Sequence, residues 1–188
     1  MQFPFFDENA DDSFNYGGIG AVIGHGITHG FGDEGSQYDA KGNLNNWFTV
    51  EDKAKFKERT SGIVKQFNNY VAIDTMHVNG ALTQGENIAD LGGVSISFAA
   101  LQKALAGKEK EKIDGFTPEQ RFFLNYAQVW RGLYRDEALK RQLQTNPHSP
   151  GKFRTLGPLS NFQPFYDAFG VKEGDKMYVA DKDRVKIW

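Results

Sequence analysis

Residues 18–35 read G-I-G-A-V-I-G-H-G-I-T-H-G-F-G-D-E-G, and within this run His25 and His29 stand four positions apart. On a helix, residues i and i+4 lie on one face with Cβ atoms about 5–6 Å apart. Two imidazoles at that spacing can converge on one metal ion. The apolar residues of the run cover most of a helix circumference, which predicts a buried helix. Its many glycines each cost roughly 1 kcal/mol relative to alanine, so tertiary packing must hold it.

The residue that follows the first histidine is Gly26. A zinc-peptidase helix is usually written H-E-x-x-H, and its glutamate takes a proton from the attacking water. Here glycine stands at the position of that glutamate. The sequence therefore offers a pair of metal ligands without the general base that normally accompanies them.

The composition is that of an ordinary globular domain. Of its 188 residues, 39% are hydrophobic and 24% are charged, which predicts a single domain, residues 1–188, with a core of its own. The net charge of −2 gives no basic footprint for nucleic acid, so no such partner is expected. There is no cysteine, which excludes disulfides and thiolate metal sites. Neither a membrane-spanning stretch nor a signal-peptide pattern is found.

Helical signals dominate the rest of the chain and predict a mainly α fold, α+β at most. T-V-E-D at 49–52 and T-P-E-Q at 117–120 have the pattern of capping boxes. Further helices are predicted after Thr83 and over 136–144 and 160–169. The prolines of 146–154 predict a loop. Residues 71–82 form a connection with room for a short strand, and 171–188 are predicted to be mostly extended.

Glu86 is the candidate for a third metal ligand, because a hydrolytic zinc site takes three protein ligands. Asp90 follows one helical turn later, where a carboxylate can hold the other ring nitrogen of a ligating histidine. Two plainer interpretations stay open at this point. Glu86 also fits a capping box opened by Thr83, and the histidines also fit hydrogen-bonded core residues of a helical domain without metal.

Three separate motifs weigh in favour of the metal site: N-Y-G-G-I-G-A-V-I-G-H-G-I-T-H-G-F at 15–31, G-E-N-I-A-D at 85–90 and H-S-P-G-K-F-R at 148–154. Together they resemble the neprilysin and endothelin-converting-enzyme family of zinc metallopeptidases. The match runs in order from F-P-F-F at 3–6 to Trp188. The resemblance implies a zincin-like metallopeptidase subdomain with an H-x-x-x-H helix and a G-E-N-I-A-D helix.

The resemblance also implies roles for single residues. The family's ligands to one zinc ion match three residues of this chain: His25, His29 and Glu86. Asp90 matches a carboxylate that supports those ligands. His148 matches the histidine that stabilises the oxyanion of the tetrahedral intermediate. Arg154 matches an arginine that contacts peptide carbonyl oxygens in the substrate cleft.

The chain departs from the family pattern in several ways. Gly26 replaces the catalytic glutamate, Gly32 replaces the first aspartate of a G-F-D-D run, and Ser36 replaces a frequent arginine. The family's substrate-pairing strand and large helical lobe have no counterpart here, so we expect the zinc-binding part of a catalytic lobe, truncated at its N-terminus. Self-association, or a second chain that supplies the missing part, is expected with it. The resemblance leaves the compartment of a parent protein open among secreted, periplasmic and cytoplasmic. By analogy with the family, the absence of cysteine favours a microbial origin over an animal cell-surface one.

These observations favour a zinc-dependent metalloendopeptidase domain that acts on peptides. We expect it to be inactive or severely impaired, because Gly26 stands where the catalytic glutamate belongs. Glu34 is the nearest other carboxylate in sequence, but it lies past the predicted end of the helix. The alternative is a non-catalytic zinc- or peptide-binding module built from the same residues.

Overall fold

The computed structural model describes residues 1–187, and helices dominate this part of the chain. Its α-helices are α1 (Asp12–Asn15), α2 (Ala21–His29), α3 (Val50–Asn68), α4 (Gln84–Leu105), α5 (Pro118–Val129), α6 (Asp136–Thr145), α7 (Gly151–Leu159) and α8 (Gln163–Phe169). A π-helical turn, Tyr16–Gly20, joins α1 to α2. Two short strands, β1 (Val71–Ile73) and β2 (Met76–His77), pair antiparallel. The predicted mainly α fold is confirmed.

The two predicted capping boxes are present at the starts of α3 and α5. At α3, the Thr49 side chain accepts from the backbone N–H of Asp52, and the Asp52 carboxylate accepts from the backbone N–H of Thr49. Thr117 and Gln120 make the same reciprocal pair at α5. Each box depends on four neighbouring residues, which is why the local sequence predicts it.

The start of α4 is built differently. The Thr83 hydroxyl donates to the backbone carbonyl of Asn79 at 2.9 Å and makes no capping hydrogen bond to α4. The interpretation of Glu86 as a member of a capping box is therefore wrong. Its carboxylate, in the first turn of α4, is free to face another part of the molecule.

Helix α4 lies at the centre of the fold and contributes to two hydrophobic clusters. One cluster joins the C-terminal half of α4 to α5: Val94, Phe98, Leu101, Phe122 and Phe123. The other joins the N-terminal half to α3 and α7: Ile63, Phe67, Ile88, Leu91 and Phe153. Because α4 is packed on both sides, its first turn is held rigidly at the edge of the core.

Helices α2 and α4 cross with their backbones in close contact at Gly24 and Gly93. A Cβ added to Gly93 would lie 2.5 Å from the carbonyl oxygen of Ala21 and 2.7 Å from the backbone nitrogen of His25. A Cβ added to Gly24 would lie 2.9 Å from the Gly93 carbonyl oxygen. The glycines that are unfavourable in an isolated helix are thus what lets α2 approach α4.

The prediction that the histidine helix is buried all round is wrong. Gly24 and Thr28 face α4 and are buried, but Ile23 is 58% exposed and Ile27 is 52% exposed. Only one side of α2 is covered by described residues. The apolar residues of α2 therefore lie both on the face that packs against α4 and on a face that is exposed.

The predicted loop over 146–154 is wrong in its second half, because α7 begins at Gly151. Pro150 precedes the helix, and its carbonyl accepts hydrogen bonds from the backbone N–H groups of Phe153 and Arg154. Proline suits a helix start because its missing N–H has no partner there. The helix predicted over 160–169 is shorter than expected, since Ser160 ends α7 and α8 begins at Gln163.

The connection 71–82 contains the β1–β2 hairpin, as predicted. The segment after α8 is less extended than predicted, because it turns over 173–177 and again in a short 3-10 turn, Asp181–Asp183. Among residues 1–187, no helix has both the length and the apolar character needed to cross a membrane.

Candidate metal centre

The three predicted ligands meet between α2 and α4. Their ligand atoms all lie within 4.8 Å of one another. The Nε2 atoms of His25 and His29 are 3.0 Å apart, and Glu86 Oε2 is 3.2 Å from His25 Nε2. Glu86 Oε1 is 3.5 Å from His29 Nε2. The i, i+4 spacing on α2 places the two imidazoles together, and the first turn of α4 brings the carboxylate to them.

The distances fit a tetrahedral zinc ion. Ligand atoms about 2.0–2.2 Å from zinc in a tetrahedral site are separated by about 3.3–3.6 Å, close to the separations of 3.0, 3.2 and 3.5 Å found between His25, His29 and Glu86. Glu86 Oε2 is also buried, and the ring nitrogens nearest to it are Nε2 of His25 at 3.2 Å and Nε2 of His148 at 3.1 Å. Nitrogen and carboxylate donors that converge in this way are a set that zinc prefers.

Asp90 fixes the tautomer of His25. Asp90 Oδ1 lies 2.8 Å from His25 Nδ1, and an ionised carboxylate only accepts hydrogen bonds. His25 therefore carries its proton on Nδ1 and turns the lone pair of Nε2 toward His29 and Glu86. A lone pair aimed at a neighbouring lone pair is unfavourable until a cation lies between them, which is a further sign of a metal site.

In the metal-free protein a proton takes the place of that cation. Burial opposes protonation of His25, but hydrogen bonds to Asp90 and Glu86 outweigh it and raise the pKa of His25 to about 9. Burial likewise opposes ionisation of Glu86, but the surrounding histidines, His25 first among them, outweigh it and lower the pKa of Glu86. The two shifts are the two sides of one attraction, between a protonated His25 ring and the Glu86 carboxylate.

Arg154 holds Asp90 from the other side. Its Nε donates to Asp90 Oδ2 at 2.8 Å and its Nη2 donates to Oδ1 at 2.7 Å, a bidentate pair buried in the protein. The guanidinium lies over the ring of Trp130, 3.8 Å from its centroid, and the Arg154 carbonyl accepts from the hydroxyl of Tyr126 at 2.9 Å. Asp90 is thus shared between Arg154 and the metal ligand His25.

His148 comes to the same centre from the loop before α7. Its Nε2 lies 3.1 Å from Glu86 Oε2, and its Nδ1 lies 3.0 Å from Asn146 Oδ1. The same Asn146 oxygen accepts the backbone N–H of His148 at 2.8 Å, which identifies it as the acceptor. His148 Nδ1 is therefore a donor, and Nε2 faces the metal centre.

Two contributors to the site were missed by the sequence analysis. Trp130, the residue that follows α5, was not among the sequence candidates, yet it stacks on Arg154 beside the centre. Ser149 donates to the side chain of Asn87 at 2.8 Å, and Asn87 donates to Thr83 at 2.9 Å, a buried polar chain between the His148 loop and α4. The only sequence signal for this chain was that Asn87 and Ser149 adjoin the candidates Glu86 and His148.

A cavity of about 210 Å³ opens beside the centre and is lined by His25, Asp90, His148 and Arg154 together with the apolar side chains of Val22 and Trp130. A larger groove of about 520 Å³ lies between α2, α4 and the C-terminal segment, and Ile27, Leu91 and Ile96 line it. That groove contains none of the three ligands. The smaller cavity is therefore the one that adjoins the metal centre.

The remaining sequence candidates lie around the centre without entering it. A Cβ added to Gly26 would meet no atom within 4 Å. Glu34 is exposed and accepts from the side chain of Gln37 at 3.0 Å, and it does not belong to the group of converging ligand atoms. The buried Ser36 donates to the carbonyl of Asp33 at 3.0 Å, and Asp33 Oδ1 lies 3.0 Å from the position of a Cβ on Gly85, at the start of α4.

Comparison with known proteins gives a consistent result. The family model described as peptidase family M13 matches residues 1–185. The chain is 44% identical over its whole length to an endothelin-converting enzyme homolog of Locusta migratoria, and 39% identical to human neprilysin. It covers 26% of each of these proteins, so it spans about a quarter of the length of the curated relatives it matches.

Solved structures agree with the sequence relatives. The zinc metalloprotease ZMP1 of Mycobacterium tuberculosis, solved in complex with an inhibitor, superposes with a TM-score of 0.96 at 46% identity. The match covers 100% of this chain and 29% of that one. PepO from Lactobacillus rhamnosis superposes with a TM-score of 0.88 at 34% identity and covers 100% of this chain and 28% of its own.

Proposed function

Because the chain belongs to peptidase family M13, as its motifs predicted, we propose that His25, His29 and Glu86 bind one zinc ion in an M13 zinc metallopeptidase domain. The observation that carries this is the convergence of their three ligand atoms within 4.8 Å. Zinc is the metal predicted from the sequence, and for this family that prediction is confirmed. When bound, zinc would supply a Lewis acid for the scissile carbonyl and activate water for attack.

The positions of the residues around the ligands support the roles predicted for Asp90, His148 and Arg154. Asp90 holds the Nδ1 proton of His25 and so keeps Nε2 available to the metal. His148, whose Nδ1 is engaged by Asn146, turns Nε2 toward the centre, where a ring protonated on Nε2 would donate to a developing oxyanion. Arg154 lines the same cavity, where a peptide carbonyl would meet its guanidinium.

We propose further that this domain hydrolyses peptides very poorly. Position 26 has no side chain, and nothing lies within 4 Å of where one would begin. Of the carboxylates at the centre, Glu86 is committed to the metal and Asp90 to His25 and Arg154. General acid–base catalysis typically contributes about 10²–10⁴-fold, or roughly 3–5 kcal/mol of barrier. The loss of the base at position 26 should remove most of that factor.

The alternative is a non-catalytic zinc- or peptide-binding module. The same observation favours it, because the metal ligands and the adjoining cavity are intact while the base is absent. The two proposals differ in what a peptide substrate does. A residual, zinc-dependent cleavage supports the impaired enzyme, and binding that persists without zinc and without cleavage supports the module.

The uncovered side of α2 supports association with another polypeptide. Ile23, Ile27, Phe31 and Ile96 are each between 45% and 58% exposed, and exposed apolar patches of this kind often mark interfaces. We propose that a second copy, or a second chain of the same peptidase, covers this face. Light scattering of the purified protein tests this, and a strictly monomeric protein at high concentration would contradict it.

Zinc stoichiometry tests the proposed metal centre. We expect about one zinc per chain by mass spectrometry under native conditions, and loss of that zinc in His25→Ala. The matched control is His77→Ala, because His77 is an exposed histidine whose Nδ1 bonds the backbone carbonyl of Asn68 outside the centre. Absence of zinc from the unmodified protein, or equal zinc in both variants, would contradict the proposal.

A further inference from the structure

Among residues 1–187, no side chain orients the metal ligand His29 in the way that Asp90 orients His25. The polar contacts of the His29 ring are all made through Nε2, with His25 Nε2 at 3.0 Å and with Glu86 Oε1 at 3.5 Å. The His29 side chain is also 42% exposed. The separation of His29 and Glu86 therefore depends on how the end of α2 and the start of α4 are held relative to one another.

The turn that follows α2 packs back onto the end of that helix. A Cβ added to Gly35 would lie 2.0 Å from the carbonyl oxygen of His29, so only a glycine allows this contact. The buried Ser36 closes the turn, because its hydroxyl donates to the Asp33 carbonyl and its backbone N–H donates to the Gly32 carbonyl, each at 3.0 Å. The turn and the backbone of His29 are therefore packed as one unit.

Asp33 connects this turn to the start of α4. A Cβ added to Gly85 would lie 3.0 Å from Asp33 Oδ1, and Gln84 Nε2 lies 3.5 Å from Asp33 Oδ2. The half-buried Asp33 carboxylate thus packs directly on the first turn of α4. The free N–H groups of a helix N-terminus create a positive potential that stabilises a carboxylate, and at α4 the side chain of Thr83 makes no capping hydrogen bond to them.

We infer that Asp33 is a positioning residue of the metal centre. This rests on the proposed zinc centre, whose converging ligand atoms do not include Asp33. The carboxylate acts through its neighbours, because it holds the first turn of α4, which carries Glu86, against the turn that packs on His29. It thereby sets the 3.5 Å separation of Glu86 Oε1 and His29 Nε2. Gly85 is part of the arrangement, since a side chain there would push the carboxylate away.

The test compares Asp33→Ala with Glu34→Ala. Glu34 is the matched control, because it carries the same charge at the next position but is exposed and bonds only to Gln37. Asp33→Ala should weaken zinc binding by about 2–30-fold, the fold-change equivalent to the interaction of a carboxylate with a helix N-terminus. It should also shift the visible absorption of the cobalt(II)-loaded protein, since the ligand geometry changes. Glu34→Ala should change neither, and equal zinc affinities and cobalt spectra in the two variants would overturn the inference.

A second pair of variants tests the contact between Asp33 and Gly85. Gly85→Ala should also weaken zinc binding, because its methyl group displaces the carboxylate from the other side of the contact. In the double variant Asp33→Ala/Gly85→Ala the methyl group enters the space that the carboxylate leaves, so the loss of affinity should be smaller than the product of the two single losses. A loss equal to that product would show that the two residues act independently, which contradicts the inference. If Asp33→Ala does not fold, Asp33→Asn beside Glu34→Gln makes the first comparison with side chains of nearly unchanged size.

Urea unfolding of the metal-free variants separates positioning from a purely structural role. A loss of stability in Asp33→Ala that leaves the zinc affinity and the cobalt spectrum unchanged would overturn the inference. The proposed metal centre is judged on the unmodified protein. If that protein binds neither zinc nor cobalt, the centre fails and the role of Asp33 fails with it. If it binds about one metal ion per chain and Asp33→Ala behaves as Glu34→Ala does, only the role of Asp33 is wrong.

Discussion

Ser149 donates its hydroxyl to the side-chain carbonyl of Asn87 at 2.8 Å, in an environment where both residues are about 1% exposed. Asn87 directly follows the metal ligand Glu86, and Ser149 directly follows His148. One buried hydrogen bond therefore ties the loop that carries His148 to the helix turn that carries Glu86. It accounts for the 3.1 Å separation of His148 Nε2 and Glu86 Oε2 in chain segments 62 residues apart.

Removal of the Ser149 hydroxyl should be costly. In Ser149→Ala the side-chain oxygen of Asn87 is left buried without its donor, which costs about 1–3 kcal/mol of unfolding free energy. Urea unfolding measures this difference. Ser61→Ala is the matched control, because Ser61 is exposed and donates only to the carbonyl of Glu58 one helical turn earlier. A cost for Ser149→Ala no larger than that of the control would contradict the role of the bond.

Asp90→Asn should weaken zinc binding by about 10–100-fold, the usual effect of removing a partner that orients a metal-ligating histidine. The amide no longer secures the Nδ1 proton of His25, and it leaves Arg154 without its ion pair. Competition with a chromophoric chelator measures the zinc affinity. Asp74→Asn, which breaks an exposed ion pair with Lys140, should leave that affinity unchanged. A loss of affinity shared by both variants would point to a general effect of charge.

Gly26→Glu should increase zinc-dependent hydrolysis of a peptide by about 10²–10⁴-fold, because it restores a general base at the second position of H-E-x-x-H. Gly26→Gln has nearly the same size without the basic oxygen and should give no such increase. We expect the rate of Gly26→Glu to stay below that of a full-length relative, since the chain covers only about a quarter of those proteins. An equal rise in both variants would contradict the assignment of position 26.

Gly93→Ala should destabilise the fold and weaken zinc binding together. Its methyl group would lie 2.5 Å from the Ala21 carbonyl oxygen and 2.7 Å from the His25 backbone nitrogen, and overpacking of this kind costs about 1–3 kcal/mol. Gly26→Ala, on the open side of α2, should instead stabilise by up to about 1 kcal/mol. Thermal unfolding and zinc titration of both variants measure these effects, and a neutral Gly93→Ala would show that the helices can move apart freely.

The local sequence predicted where several helices begin better than it predicted which of their faces are covered. The boxes at Thr49 and Thr117 depend on residues three positions apart, so the sequence predicts them directly. The exposure of Ile27 and the start of α7 at Gly151 were missed, because the first depends on which helices cover α2 and the second on how Pro150 is used.

The candidate site likewise has features that local sequence predicts and features that depend on contacts between distant segments. The spacing of His25 and His29 predicts a shared helix face, and Glu86 was a candidate because a hydrolytic zinc site takes a third protein ligand. The stacking of Trp130 on Arg154 and the bond between Ser149 and Asn87 join distant parts of the chain. No local pattern encodes such pairs, so the sequence could offer only their proximity to other candidates.

The distance between the metal ligands on α2 and the ligand on α4 depends on how closely the two helices approach at their crossing, where Gly24 and Gly93 have only hydrogen atoms in place of side chains. Gly24 and Gly93 bring nothing larger to the contact between the helices, and any side chain there would push the imidazoles away from the carboxylate. The geometry of this centre therefore depends on the two glycines at the crossing as well as on the three ligands. An engineer who grafts His25, His29 and Glu86 onto another pair of helices would have to transplant both glycines with them.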